Sequence, residues 1–255
     1  MTKIYYEINP PAILNNGVIP INELNNRLNN IYFKINKLKD LTDGVQFTDS
    51  ALGNPRLSSI NLGSKIREKY SSKYEIICNI RTCDHNLNSV IQITREAELR
   101  NINGLLLIWG DAPKFGVTIK TKTTDTLKEL KKSEFKIKLY LTTAFNVNER
   151  ILGSKLDANP DGIITPPIPS LEEFYKFKDK INEKNKKIDI ISTVFIPSEK
   201  NFKALKLIKF DWSEYQDNLY EFTKEVFNNS NGVLISSPND FQEGLKLIRR
   251  MRTSV

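Results

Sequence analysis

The stretch Gly104-Leu105-Leu106-Leu107-Ile108-Trp109-Gly110-Asp111-Ala112-Pro113 decides the fold class of this chain. Its run of aliphatic residues between two glycines predicts a short strand that is buried on both faces, as in a parallel sheet. Asp111 follows this strand directly, at the end where ligands bind in parallel α/β folds. We therefore interpret Asp111 as a ligand-binding carboxylate, with a cap of the next turn or helix as the alternative.

Seven more segments have the pattern of strands, and helical segments alternate with all of them. These strands are predicted at 3–8, 44–48, 74–80, 136–143, 161–165, 188–196 and 233–236. Such alternation indicates a parallel sheet with right-handed crossovers. Eight units in 255 residues fit a (β/α)8 TIM barrel that forms one domain over residues 1–255. A doubly wound open sheet is the rival, but no Gly-x-Gly-x-x-Gly turn follows the first strand.

The composition predicts a globular protein of the cytoplasm. No apolar run approaches the roughly 20 residues of a membrane helix, and no signal peptide precedes the first strand. Cys78 and Cys83 lie five positions apart in a strand and just beyond it, which favours free thiols in a reducing compartment. The net charge of +8 comes from scattered lysines without interleaved aromatic residues, so no nucleic-acid surface is expected. A single histidine, His85, argues against a metal site.

Two acids stand at predicted strand ends, where a barrel carries its chemistry. Glu7 and Asp111 follow the first and fourth strands, so we expect their carboxylates to face each other across the mouth. Glu7 lies between Tyr6 and Ile8, and burial in apolar surroundings raises a carboxyl pKa so that it can act as an acid. The alternative for Glu7 is a structural salt bridge to a lysine.

Several motifs along the chain together resemble one known family. Tyr5-Tyr6-Glu7-Ile8-Asn9-Pro10-Pro11 is similar to its Glu-x-x-Pro-Pro start, and Gly110-Asp111-Ala112-Pro113 to its Gly-Asp-x-Pro motif. Further matching segments are Val45–Asp49 with Gly53 and Arg56, Asp84–Asn86, Lys155–Ala158, Ile163–Thr165 and Gly232–Ile235. The family is that of the methylenetetrahydrofolate reductases.

This resemblance implies a flavin-dependent oxidoreductase of one-carbon metabolism. Such an enzyme would use FAD and NAD(P)H to reduce 5,10-methylenetetrahydrofolate, or a related tetrahydropterin, to the 5-methyl form that methionine biosynthesis uses. Glu7 would be the general acid and Asp111 the anion beside the pterin, both catalytic. The implied cofactor-binding residues are Thr48, Asn79, Trp109, Gly110, Ala144 and Lys155. The implied substrate-binding residues are Asp111, Thr165 and Phe195.

Three positions depart from the family pattern. Asn79 stands where the family has histidine, Trp109 where it has arginine, and Pro166 where it has glutamine. The alternative is therefore a non-flavin barrel that binds a tetrahydropterin as a partner or regulatory subunit, or that transfers a methyl group. In either case we expect a small-molecule partner, no nucleic acid and no membrane, with assembly into a homo- or hetero-oligomer.

Overall fold

Eight parallel strands close into a barrel in the computed structural model, which describes residues 2–14, 17–70, 73–184 and 187–253. The strands are β1 (Lys3–Ile8), β2 (Gly44–Phe47), β3 (Glu75–Arg81), β4 (Gly104–Ile108), β5 (Lys138–Leu141), β6 (Gly162–Pro167), β7 (Asp189–Phe195) and β8 (Gly232–Ser236). Each strand pairs with the next in sequence, and β8 returns to pair with β1. The prediction of a single-domain (β/α)8 barrel is confirmed.

Amphipathic helices cover the outside of this barrel. They are α1 (Ile21–Leu38), α2 (Ser59–Lys69), α3 (Leu87–Leu99), α4 (Thr123–Lys132), α5 (Glu149–Asp157), α6 (Leu171–Glu183), α7 (Phe202–Ile208), α8 (Leu219–Asn228) and α9 (Phe241–Thr253). The connection from β7 to β8 holds both α7 and α8, as its length predicts. Asn86 caps α3 by accepting a hydrogen bond from the Ser89 amide at 2.9 Å, so the Asp84-His85-Asn86 cluster serves a helix start. In the described part of the chain, no helix is long and apolar enough to cross a membrane.

Side chains fill the barrel interior in layers, because every second residue of a strand points inward. The middle layers are apolar and consist of Tyr5, Ile77, Leu106, Tyr140, Ile164, Ile191 and Leu234. A second, larger cluster lies between the outer strand faces and the helices. The middle layers therefore separate the two ends of the barrel interior.

The amino-terminal end of the interior, which we call the floor, is made of paired charges. Each odd-numbered strand begins with a charged residue; these are Lys3, Glu75, Lys138 and Asp189. The Lys3 ammonium lies 2.5 Å from the Glu75 carboxylate, and the Lys138 ammonium lies 3.1 Å from that of Asp189. Glu75 also accepts a hydrogen bond from the Tyr5 hydroxyl at 2.5 Å. The floor is thus closed by two ion pairs and a buried tyrosine.

The residues at the strand starts that form the floor follow a pattern that repeats four times around the barrel. Each even-numbered strand begins with a glycine, and an Asp or Asn precedes that glycine in the pairs Asp43-Gly44, Asn103-Gly104, Asp161-Gly162 and Asn231-Gly232. Each of these Asp or Asn side chains accepts a hydrogen bond, at 2.7 to 2.9 Å, from a main-chain amide of the preceding strand; the donors are Ile4, Ile76, Leu139 and Ile190. A Cβ on Gly104 or Gly232 would lie 2.6 or 2.9 Å from a tyrosine ring. The glycines therefore make room for the rings of Tyr140 and Tyr5.

Candidate functional site

A cavity of about 710 Å³ opens at the carboxyl ends of the strands. We call this end of the interior the mouth. Its inner wall is apolar and includes Leu106, Ile108, Ile164, Phe195 and Leu234. Its polar lining includes Glu7, Gln46, Asn79, Thr165, Thr193 and Ser236. The position is that of active sites in (β/α)8 barrels, and the volume suits a small organic molecule.

Glu7 supplies a carboxyl group to the mouth from the inward face of β1. Its Oε1 atom accepts a hydrogen bond from the Ser236 hydroxyl at 2.7 Å. Burial raises the pKa of this carboxyl, and the hydrogen bond from Ser236 opposes the rise. No ion pair involves Glu7 within residues 2–14, 17–70, 73–184 and 187–253, so the expected alternative of a lysine salt bridge is not found there. Glu7 is thus a partly buried acid to which the described residues offer no counter-ion.

Gln46 and Asn79 place two carboxamides beside this acid. Gln46 lies next to Glu7 in the register of β1 and β2, and its Nε2 donates to the Asn79 Oδ1 at 2.7 Å. Both side chains are nearly inaccessible, at 2% and 6% exposure. The Gln46 Oε1 atom is buried and has no hydrogen-bond partner in the described part of the chain. The mouth thus contains an unused acceptor next to an acid.

Asp111 lies at the rim of the mouth, where its carboxylate is exposed and accepts a hydrogen bond from the Leu52 amide at 3.1 Å. Its loop is held by Arg81, which is only 1% exposed and donates through Nη2 to the Asp111 carbonyl at 2.5 Å. Arg81 also bonds the Ser50 carbonyl and pairs with Asp84 at 2.9 Å. The loops after β2, β3 and β4 therefore share one buried guanidinium, which fixes the Asp111 main chain.

Gly110 is the residue that allows this arrangement. Its φ of +86° lies in the region that favours glycine, and a Cβ at this position would stand 2.8 Å from the Arg81 Nε atom. The glycine of the Gly-Asp-x-Pro motif consequently has a structural reason of its own, because it makes room for Arg81.

Three further predicted site residues line the mouth. Thr48 donates from its hydroxyl to the Asn9 Oδ1 at 2.6 Å. Thr165 is joined to Thr193 by two hydrogen bonds, at 2.6 and 3.0 Å. The Phe195 ring stacks on Trp212, with a centroid separation of 5.9 Å, and closes the side of the mouth at β7. Their roles in binding stay predictions.

The remaining predicted residues lie outside the lining of the cavity. Lys155 points its ammonium to the Thr142 carbonyl at 2.5 Å, and burial lowers its pKa. Trp109 is 39% exposed, and its carbonyl accepts from the Cys83 amide. Ala144 is exposed in the loop after β5, and Gly110 serves Arg81 as described. The structure therefore does not bring these four residues together with Glu7.

Sequence reasoning missed Gln46 and the structural role of Arg81. Gln46 lies in a strand between Val45 and Phe47, both fully buried, and only its inward position next to Glu7 in the register distinguishes it. Arg81 ends β3, but its partners come from three separate loops. A signal for Gln46 existed, because a polar residue at an inward position of a short apolar strand is costly unless it has a partner.

Comparison with known proteins gives structural similarity alone. No protein-family model and no curated protein matches the sequence. A chain of the tryptophan synthase complex from Pyrococcus furiosus superposes with a TM-score of 0.54 at 13% identity, over 99% of this chain and 98% of that one. A mutant tryptophan synthase α-subunit from the same organism gives a TM-score of 0.58 at 11% identity, over 98% and 96%. A protein of Aquifex aeolicus VF5 gives 0.55 at 11%, over 100% and 92%. At such identities the likeness shows the fold.

These findings correct the functional predictions from the sequence. The resemblance to methylenetetrahydrofolate reductases is wrong, because no family model matches and the neighbours whose activity is named are tryptophan synthases. The flavin oxidoreductase activity is wrong with it, as are FAD, NAD(P)H, one-carbon metabolism and methionine biosynthesis. The tetrahydropterin alternatives lose their basis as well. The motifs indicated the wrong family because they are short. The glycine of one of them, Gly110, is explained by the room that it leaves for Arg81.

Proposed function

We propose that the protein is a general acid–base enzyme of the lyase type, with Glu7 as the proton donor. The observation that carries the proposal is a partly buried carboxyl on the wall of the mouth cavity, to which the described residues offer no counter-ion. Strongly shifted carboxyl groups in such cavities are candidates for acid–base catalysis. The similarity to tryptophan synthase α-subunits supports bond cleavage or formation at a small organic substrate.

The surroundings of Glu7 suit a group that gives up a proton and regains it. In its neutral form Glu7 would carry a transferable proton on Oε2, while Oε1 accepts from Ser236. After transfer, the same Ser236 hydroxyl stabilises the carboxylate, because a hydrogen bond to an ionised acceptor is the stronger one. Glu7 can therefore protonate the leaving or accepting atom of a substrate and recover the proton in a later step.

The cavity walls indicate the kind of substrate. Leu106, Ile164 and Leu234 form an apolar inner wall, and Phe195 offers an aromatic face. Charged residues occur on the lining as Arg56, Asp111 and Lys203. Because the inner wall is apolar and carries an aromatic ring, it suits an uncharged, ring-like group as the reacting part of the substrate. Asp111, which is exposed, would act on the substrate as a fixed anion at the rim.

Two coarser expectations belong to the same proposal. We place the protein in the cytoplasm, since Cys78 and Cys83 are both free and buried. We also propose assembly with a further chain, since one structural neighbour was solved as part of a complex. The mass of the purified protein in solution tests this second point.

The acid is tested by NMR of protein with carbon-13 at the glutamate carboxyls. The Glu7 signal is identified by its disappearance in Glu7→Gln, and we expect it to titrate at higher pH than the exposed glutamates. In a screen of small ring-containing substrates for lyase reactions, any activity found should fall by about 10²-fold or more in Glu7→Gln. A Glu7 that titrates with the exposed glutamates, or an activity that survives the substitution, would contradict the proposal.

A further inference from the structure

The mouth contains a buried hydrogen-bond acceptor that the protein itself does not use. Gln46 lines the cavity at 2% exposure, and its Oε1 atom is buried without a partner among the described residues. A buried polar atom without a partner is destabilising, and native proteins keep few of them. Such an atom on the wall of a binding cavity is accounted for when the ligand supplies the partner.

The Gln46 amide is hydrogen-bonded to that of its neighbour Asn79. Its Nε2 donates to the Asn79 Oδ1 at 2.7 Å, and rotation of the Gln46 amide alone would bring two carbonyl oxygens together. Asn79 uses Oδ1 in this bond, and among the described residues its Nδ2 makes none. The pair therefore offers a free acceptor on Gln46 and a free donor on Asn79, and both residues line the cavity.

We propose that this carboxamide pair recognises a cyclic amide. A ring that carries an N–H next to a carbonyl group supplies the donor that Gln46 lacks and the acceptor that Asn79 can engage. Its apolar edge would lie against Leu106 and Leu234. The proposal rests on the proposed function, because Glu7 is adjacent to Gln46 in the register and would deliver its proton to the same ligand.

The test compares two probes that differ by one methyl group. The dissociation constants of 2-pyridone and 1-methyl-2-pyridone for the full chain are measured by NMR titration. We expect 2-pyridone to bind and its N-methyl form to bind about tenfold more weakly or worse, because the methyl group removes the donor for Gln46. This comparison on the unaltered protein does not depend on whether a variant folds.

Two variants assign the discrimination to Gln46. In Gln46→Met, which keeps the length of the side chain, the two probes should bind within about twofold of each other. The matched control is Gln92→Met on α3, since Gln92 is exposed and donates to Glu96 on the same helix, and it should discriminate as the parent does.

Three results would overturn the inference: equal binding of the two probes to the parent, no binding of either, or discrimination that persists in Gln46→Met. Persistence would mean that the shape of the cavity excludes the methyl group. None of these results depends on the titration of Glu7. A high titration point for Glu7 together with equal probe binding would thus refute cyclic-amide recognition and leave the proposed acid in place.

Discussion

The floor and the mouth of the barrel carry the same kinds of side chain in opposite states of pairing. On the floor, Glu75 accepts hydrogen bonds from both Lys3 and Tyr5 at 2.5 Å. In the mouth, among the residues that the structure describes, Glu7 bonds to the Ser236 hydroxyl alone and the Gln46 Oε1 has no partner. The floor groups are satisfied by one another, whereas Glu7 and Gln46 in the mouth are incompletely satisfied by the described residues.

This difference separates groups kept for stability from groups kept for chemistry. Partnered charges close the floor with no remaining capacity to bind, so their loss should weaken the fold. Unpartnered groups in the mouth reduce stability, and such costs are typical of functional sites. Substitutions at the two ends should consequently change the free energy of unfolding in opposite directions.

The largest effect is expected from Gly44→Ala on the floor. A Cβ on Gly44 would lie 2.2 Å from the Glu75 carbonyl oxygen, which is a main-chain atom of a paired strand and cannot turn aside. We expect a loss of about 3 kcal/mol in the free energy of unfolding, measured by urea denaturation.

Gly153→Ala is the matched control for this loss. Gly153 lies in α5 and has nothing within 4 Å of an added Cβ, so alanine should stabilise the helix by roughly 0.5–1 kcal/mol. Equal stability of Gly44→Ala and the parent would show that the floor tolerates added volume, and the comparison of the two ends would fail.

The next effect contrasts one substitution at the two ends. Glu75→Gln keeps the shape of the side chain but removes the charge that Lys3 and Tyr5 face, and we expect a loss of about 1–2 kcal/mol at pH 8 because the pair is partly exposed. Glu7→Gln can still accept from Ser236 and removes a buried acid, so it should be more stable than the parent at the same pH. Urea denaturation of both variants measures this.

The gain in Glu7→Gln should depend on pH. The pKa of Glu7 is higher in the folded than in the unfolded chain, so the folded parent binds more protons between the two values. The stability of the parent accordingly falls as pH rises through this interval, by up to about 1.4 kcal/mol per pH unit, and Glu7→Gln escapes the fall. A difference between parent and variant that stays constant from pH 4 to pH 8 would mean that Glu7 is not shifted.

The smallest effect on stability is expected from Asp111→Asn. The side chain is exposed, and asparagine can still accept from the Leu52 amide, so the free energy of unfolding should change by less than about 0.5 kcal/mol. A thermal melt measures this change. A loss of several kcal/mol would instead place Asp111 with the structural groups of the floor.

The fold could be predicted from the sequence because it depends on local pattern. The apolar run of β4 and the regular alternation with helices were sufficient to predict a barrel. Glu7 and Asp111 could also be placed on the mouth, because strand ends converge there. The Gln46–Asn79 pair could not be found in this way, because it depends on the register of β2 against β3.

The family prediction failed for a related physical reason. Two of the motifs that suggested it include loop glycines, and the structure gives both glycines a packing role. Gly110 makes room for Arg81, and a Cβ on Gly53 would lie 2.3 Å from the Ala112 carbonyl oxygen. Loops that must pack this closely favour glycine whatever ligand the barrel binds, so such motifs are weak evidence for a particular cofactor.

The fourfold repeat of the floor means that the mouth has four corresponding positions, and they carry different residues. Along the odd-numbered strands, the residues two positions after the middle-layer residues Tyr5, Ile77, Tyr140 and Ile191 are Glu7, Asn79, Thr142 and Thr193. All four line the same cavity. Of these four side chains, that of Glu7 is the acid. One of the four pairs of odd and even strands therefore carries the acid, and the other three offer different contacts at the corresponding position. Exchange of side chains among these positions would move the acid by a quarter turn around the ligand while leaving the framework below unchanged.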